Sequence, residues 1–279
     1  MHLVKRIFNF YIFSNIHVAL AVFSLTKITL LAYDIQDNLM PFFVFSATLS
    51  SYNFIRLYRI AAVQGWFFEF IRAHRKSVLG VSLASVLLVV YLAFSLNFQT
   101  LVALIPFGIF TLFYVIPFPI QKGKFTSLRS LAFLKLFLIA ISWAGVTVLI
   151  PLLNYDITIN QDVILAFLQR FLFVLVITLP FDIRDMNYDN DSLKTLPQVF
   201  GIQKTKRIGL FFLMLFLGIE LFKNSITSSQ FQLHLIIALL SLIFLFRANQ
   251  NQHKYYSAFF VESLPIVWLG LSVFYKFCC

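Results

Sequence analysis

The chain is dominated by long apolar runs, at roughly 8–32, 40–62, 77–97, 100–119, 130–153, 161–181, 206–223, 231–247 and 257–276. About 20 residues of helix cross a bilayer's hydrocarbon core. Only segments that satisfy their own backbone hydrogen bonds can stay there. The runs therefore predict an all-α, polytopic bundle of nine transmembrane helices, with residues 1–279 forming a single transmembrane domain. A membrane β-barrel would show alternating segments of about ten residues instead. Charged residues make up 12% of the chain, against about 25% in a soluble domain. The first run is too long for a cleavable leader and reads as a span. The only cysteines, Cys278 and Cys279, offer neither a disulfide framework nor metal-ligand spacing.

The formal net charge is +11. In a soluble protein that would suggest nucleic acid. Here the positions of the charges explain it, and no nucleic-acid partner follows. Lys5 and Arg6 precede the first run. Arg56, Arg59, Arg72, Arg75 and Lys76 lie between the second and third runs, and Lys122, Lys124 and Arg129 between the fourth and fifth. Arg184, Lys194, Lys204, Lys206 and Arg207 follow the sixth, and Arg247 and Lys254 follow the eighth. The intervening loops are short and poor in Lys and Arg. Positive charge concentrates on the cytoplasmic side of membrane proteins. This pattern predicts an inner-membrane protein with its N-terminus and long loops in the cytoplasm and its C-terminus outside. In the loop after the second run, Trp66, Phe67, Phe68, Phe70 and Ile71 crowd one side. That stretch reads either as an amphipathic helix lying on the membrane or as the continuation of a tilted span.

Several charges interrupt the runs. A charge at the bilayer centre costs about 2.5–3.5 kcal/mol or more unless it finds a partner. Lys135, Arg170 and Glu262 are therefore expected to face the bundle interior. Lys135 has an alternative, snorkelling to the surface beside Arg129.

The stretch Pro180–Gly201 holds Asp182, Asp185, Asp189 and Asp191 directly after an apolar run. On a helix the first three fall within an arc of about 60°. Carboxylates on one face at a membrane surface suit a divalent cation such as Mg²⁺, which takes one or two carboxylates plus waters and substrate phosphates. The alternative is a solvated acidic loop paired with Arg184 and Lys194. Asp191 lies off the arc and reads as solvated.

Asp182-Ile-Arg-Asp185-Met-Asn-Tyr-Asp189, followed by Thr195-Leu196-Pro197 and Gly201, resembles the second aspartate-rich motif of UbiA-type intramembrane prenyltransferases and the T-L-P-x-x-x-G segment after it. The resemblance covers the whole chain in topology and about 20 positions closely. It implies a helical bundle around a lateral cavity, using Mg²⁺ to hold a prenyl diphosphate and passing the prenyl group to a lipophilic acceptor. It assigns Asp182, Asp185 and Asp189 to the metal; Arg59 and Lys135 are the cations expected to bind the substrate. The family's first motif, N-x-x-x-D-x-x-x-D, is degenerate: Asn53 is present, but Leu57 and Ala61 stand where aspartates are expected. Arg56 lies one turn from Asn53, and a guanidinium can bind phosphate oxygens bidentately. Asn53 and Arg56 are thus the expected catalytic pair on the second span, and no general base stands out. The alternative function is a non-catalytic or repurposed protein of this fold that binds isoprenoid lipid or assists membrane assembly. A transporter fits less well, since neither paired repeats nor broken spans are evident.

Overall fold

A computed structural model describes residues 2–58, 66–121, 124–131, 133–188, 193–224 and 228–278. The elements in order are α1 (His2–Phe13), α2 (Ile16–Ala32), α3 (Leu39–Tyr58), α4 (Trp66–Ala73), α5 (Arg75–Ala93) and α6 (Phe98–Val115). A two-stranded antiparallel ribbon follows, β1 (Phe118–Gln121) and β2 (Lys124–Thr126), with Phe118 opposite Thr126. The chain continues through α7 (Leu134–Ala144), α8 (Ile150–Asn154), α9 (Gln161–Asp185), α10 (Leu196–Glu220), α11 (Ser228–Arg247) and α12 (Leu264–Cys278). Wide π-turns at Gly145–Leu149 and Tyr256–Val261 precede α8 and α12.

The protein is all-α, apart from the small ribbon, and its helices fall where the apolar runs lie. Among the described residues, six helical segments are long and apolar enough to cross a membrane; a seventh counts if the bent pair α1–α2 forms one span. The number nine is not established by that measure. α3 carries Ser50, Ser51 and Asn53 along its length, and α10 carries Lys204, Lys206 and Arg207. Both helices still pack within the bundle.

Burial is graded. Only 17% of α5 and 11% of α6 is buried, against 61% for both the α7–α8 segment and α9. A helix that is apolar all round and yet exposed is at home only in lipid, and these are multi-pass membrane helices. The core centres on α9, where Phe173, Leu175, Leu179 and Ile183 are fully covered. Two close approaches need glycine. A Cβ on Gly209 of α10 would stand 2.3 Å from Leu245 and 2.8 Å from Leu179, and one on Gly145 would stand 2.2 Å from Phe107.

Local breaks shape the end of the bundle that carries the basic loops. α1 and α2 meet at 56°, with Asn15 between them at φ 70°. Asparagine tolerates that conformation better than most residues. Pro197 sits in the first turn of α10, where its missing N–H would have no partner anyway. Gly201 then breaks that helix with φ 78° and ψ 163°, a backbone state available almost only to glycine. This gives the T-L-P-x-x-x-G segment a physical reading: a helix start followed at once by a kink. α4 is a helix of its own, separated from α5 by a turn at His74. It packs inward, with Ile71 2% exposed and the Phe70 ring 5.6 Å from Phe13.

Candidate functional site

α9 delivers the acidic stretch to the basic end of the bundle. Asn160 caps its start, accepting a hydrogen bond from the Val163 N–H at 3.0 Å, and the helix runs through Pro180 to Asp185 without interruption. Asp182, 1% exposed, accepts a hydrogen bond from the Lys135 ammonium of α7 at 2.8 Å. Lys135 is itself buried, so it points inward and does not snorkel. Asp185 lies a turn further out. The adjacent Arg184 grips it with two bonds, Nε to Oδ1 at 2.7 Å and Nη2 to Oδ2 at 2.9 Å. Both partners are about a third exposed, with side-chain exposures of 29% and 30%. Asp189 and Arg59 lie outside the described residues.

α3 contributes the other expected pair. Asn53 is fully buried, and its Oδ1 accepts from Asn15 Nδ2 at 2.6 Å. The residue expected to be catalytic thus braces the α1–α2 bend. Among the described residues, its own Nδ2 has no hydrogen-bond partner. Arg56 Nη1 donates to the Phe13 carbonyl at 2.8 Å, one of the carbonyls that the end of α1 leaves open. On the same helix, the Tyr52 hydroxyl accepts from Trp143 Nε1 at 3.0 Å.

Glu262, expected only to face inward, belongs to this end as well. It follows the π-turn before α12, and Arg56 and Arg184 both attract it across the interior. Among the described residues, none makes an ion pair with it within 4.0 Å. Sequence reasoning marked it as an acid in an apolar run. It had no means of showing that helices from opposite halves of the chain would aim two arginines at it.

A second polar centre was missed. Glu220, fully buried at the end of α10, gathers three groups on one oxygen: Gln169 Nε2 at 2.7 Å, Lys223 Nζ at 2.8 Å and His234 Nδ1 at 3.0 Å. Beside it, Arg170 Nη1 donates to the Leu25 carbonyl at 2.7 Å, and its guanidinium lies 5.1 Å from the Trp268 ring. The sequence signal available was the polar interruption at Gln169 and Arg170. The partners sit about fifty residues away.

Among the described residues, no three acidic, histidine or cysteine side chains gather into a metal site. Asp182 and Asp185 are each engaged by a cation. Mg²⁺ does not fit the described residues as they stand. A donor set would need Asp189 and the release of one of those pairs.

No family model and no curated protein matches the chain. A UbiA homolog from Archaeoglobus fulgidus, solved with GPP and Mg²⁺ bound, is similar in structure with a TM-score of 0.63 and 13% identity. The match covers 92% of this chain and 96% of that one. This shows a UbiA-type fold across almost the whole protein.

Proposed function

We propose that this protein binds a prenyl diphosphate at the basic end of the bundle and transfers its prenyl group to a lipophilic acceptor held in the membrane. One observation carries the reading. Arg56 of α3 and Arg184 of α9 lie within electrostatic reach of each other, and Lys135 of α7 bonds Asp182, two residues before Arg184, in a fold whose Archaeoglobus example binds GPP. If that end is cytoplasmic, as the charge pattern predicts, a soluble diphosphate headgroup reaches it directly while the tail lies among apolar helices.

The cations differ in availability. The Arg184–Asp185 pair is partly exposed, and such pairs are worth about 0–1 kcal/mol. Exchanging Asp185 for a phosphate at Arg184 therefore gives up little from that pair. Arg56 supplies a second fork able to take two phosphate oxygens. Lys135 is held in place by Asp182 and adds a fixed positive charge. Fixed cations aimed at the departing diphosphate stabilise the charge that grows as the allylic C–O bond breaks, and the apolar bundle keeps water from the allylic cation. Asn53 acts behind them by holding α3 against the α1–α2 bend. Asp189 is assigned to the same site from the motif pattern alone, and Arg59 from its place after the second apolar run.

A second reading is a protein that binds isoprenoid lipid without turnover. The neutralised Asp182 and Asp185, with Leu57 in the first motif, favour it. Purified protein in liposomes containing membrane lipid extract, given labelled prenyl diphosphates with and without Mg²⁺, separates the two. Labelled lipid product supports transfer. Binding without product supports the second reading, and the absence of both removes the site. Loss of binding on Mg²⁺ removal would restore the aspartates as metal ligands.

A further inference from the structure

The prenyl-transfer reading leaves one step without a residue: the acceptor's proton has to go somewhere. We propose that Glu262 is the catalytic base that accepts it. The inference rests on the transfer reading and on three observations about this carboxylate.

The first is a census of acids at the basic end. Asp182 is bonded to Lys135 at 2.8 Å and Asp185 to Arg184 at 2.7 Å. A carboxylate already held by a cation is a poor proton acceptor. Among the described acids there, only Glu262 and the exposed Glu69 of α4 have no cation within 4.0 Å, and of the two Glu262 alone is half-buried among the helices.

The second is its backbone. The Glu262 N–H bonds to the Ser257 carbonyl at 3.2 Å, a five-residue step that widens the turn. Insertions of this kind occur often at functional sites. Gln252 reinforces the turn, donating to the Pro180 carbonyl at 3.0 Å and to the Ser257 hydroxyl. The turn that orients Glu262 is thereby tied to the helix that carries the aspartates.

The third is its surroundings. Glu262 is half-buried at the start of an apolar span, Tyr256–Lys276, where an ionisable side chain without a structural partner marks a functional site by default. The groups that face it are Arg56 and Tyr52 of α3, Arg184 of α9 and Tyr11 of α1. His17 of α2 lies 3.2 Å from the next residue, Ser263. The two arginines place the acid beside the diphosphate without bonding to it directly.

In the step itself, the allylic C–O bond breaks and its electron pair leaves on the diphosphate. The acceptor's nucleophilic atom forms the new bond to the allylic carbon. The proton on that atom passes to a Glu262 oxygen and later to water.

The test uses full-length protein in liposomes with labelled GPP and membrane lipid extract as acceptor. Glu262→Gln should retain GPP binding within about threefold and lose transfer by about 100-fold or more, the usual scale for a lost general base. Wild-type transfer should rise with pH as the base deprotonates, and Glu262→Gln should abolish that rise. Glu262→Asp should restore part of the rate and the pH dependence. Transfer by Glu262→Gln at the wild-type rate with an unchanged pH profile overturns the base while leaving the transfer reading intact. So does a loss that only tracks a smaller folded fraction in thermal melts. Failure of the wild-type protein to transfer at all overturns both, and the wild-type arm identifies that case.

Discussion

Two carboxylates of the same bundle, Glu220 and Glu262, are treated in opposite ways. Glu220 takes hydrogen bonds from Gln169 and Lys223 on a single oxygen, with the His234 ring nitrogen 3.0 Å from the same atom. Glu262 faces two arginines and is bonded to neither. Both acids interrupt apolar helices, so both bear the cost of removing charge from water. The first recovers it through close partners, which makes it part of the frame. The second leaves its charge uncompensated at short range, which is tolerable where a ligand completes the site. Burial of a charge therefore does not identify function in this fold. The number of its close partners does.

The largest expected effect tests the frame. Glu220→Ala strands Lys223 and His234 next to a buried Gln169, and breaking one side of a buried pair costs about 3–5 kcal/mol. Thermal melts in detergent should show a large loss, while the protein that stays folded binds GPP as before. Glu262→Gln removes no pair and should melt close to wild type. Equal destabilisation by the two would erase the distinction between them.

Lys135 and Asp182 lie between these extremes: close partners, at the functional end. Lys135→Met or Asp182→Leu alone breaks one side of a buried pair and should cost about 3 kcal/mol, the low end of the range for such a pair. The double variant should cost much less than the sum, because the coupling is removed together with both charges. Stability measured across this cycle gives the strength of the pair directly. Additive losses would mean the two side chains act independently. If Lys135 touches the diphosphate, the double variant should be stable and yet fail to bind GPP.

The Asn15–Asn53 contact is the next in size. Asn53→Ala leaves the Asn15 amide buried without its acceptor, worth about 1–3 kcal/mol. The α1–α2 bend loosens while Arg56 stays on α3. A purely structural Asn53 predicts a lower melting temperature with GPP affinity kept in the folded protein. Loss of affinity at unchanged stability would return Asn53 to the ligand.

These contrasts also mark what the sequence could and could not disclose. The helices were legible because apolar length is a one-dimensional property, and the runs near 100–119 and 161–181 became α6 and α9 with small shifts. The bend at Asn15 was not, because apolar residues continue on both sides and only one left-handed residue divides them. The ribbon at Phe118–Thr126 lay in what read as a charged loop. At the site, the spacing of Asp182 and Asp185 on one helix was readable, but the partner of Asp182 was not. Arg184 is adjacent and was foreseen as a partner, whereas Lys135 is 47 residues away and reaches Asp182 only through the packing of α7 on α9. Glu262 was visible as an anomaly, and its neighbours Arg56 and Arg184 come from α3 and α9, which only the fold brings together.

A carboxylate outside the membrane calibrates the two inside it. Asp37, at the opposite end of the bundle, caps α3: its oxygens accept the Leu39 N–H at 2.9 Å and the Met40 N–H at 2.8 Å. Partial burial pushes its pKa up, but hydrogen bonds from the Tyr155 phenol and from the Met40, Leu39 and Asn38 N–H groups outweigh that and hold it below the ordinary 3.8. A lowered carboxyl pKa stabilises the fold above the unfolded value, and the contribution is lost as pH falls through the folded one. Asp37→Ala should cost about 1 kcal/mol at neutral pH, the usual worth of a helix cap. The gap between wild type and variant should be full above about pH 4 and close below it. Melts across that range check this, and a gap that persists in acid would mean that Asp37 acts through packing and not through its charge. The comparison with Glu220 is then direct. A solvated cap is worth about one hydrogen bond, and a difference of several kcal/mol between the two variants measures what the apolar surroundings add to each partner that Glu220 holds.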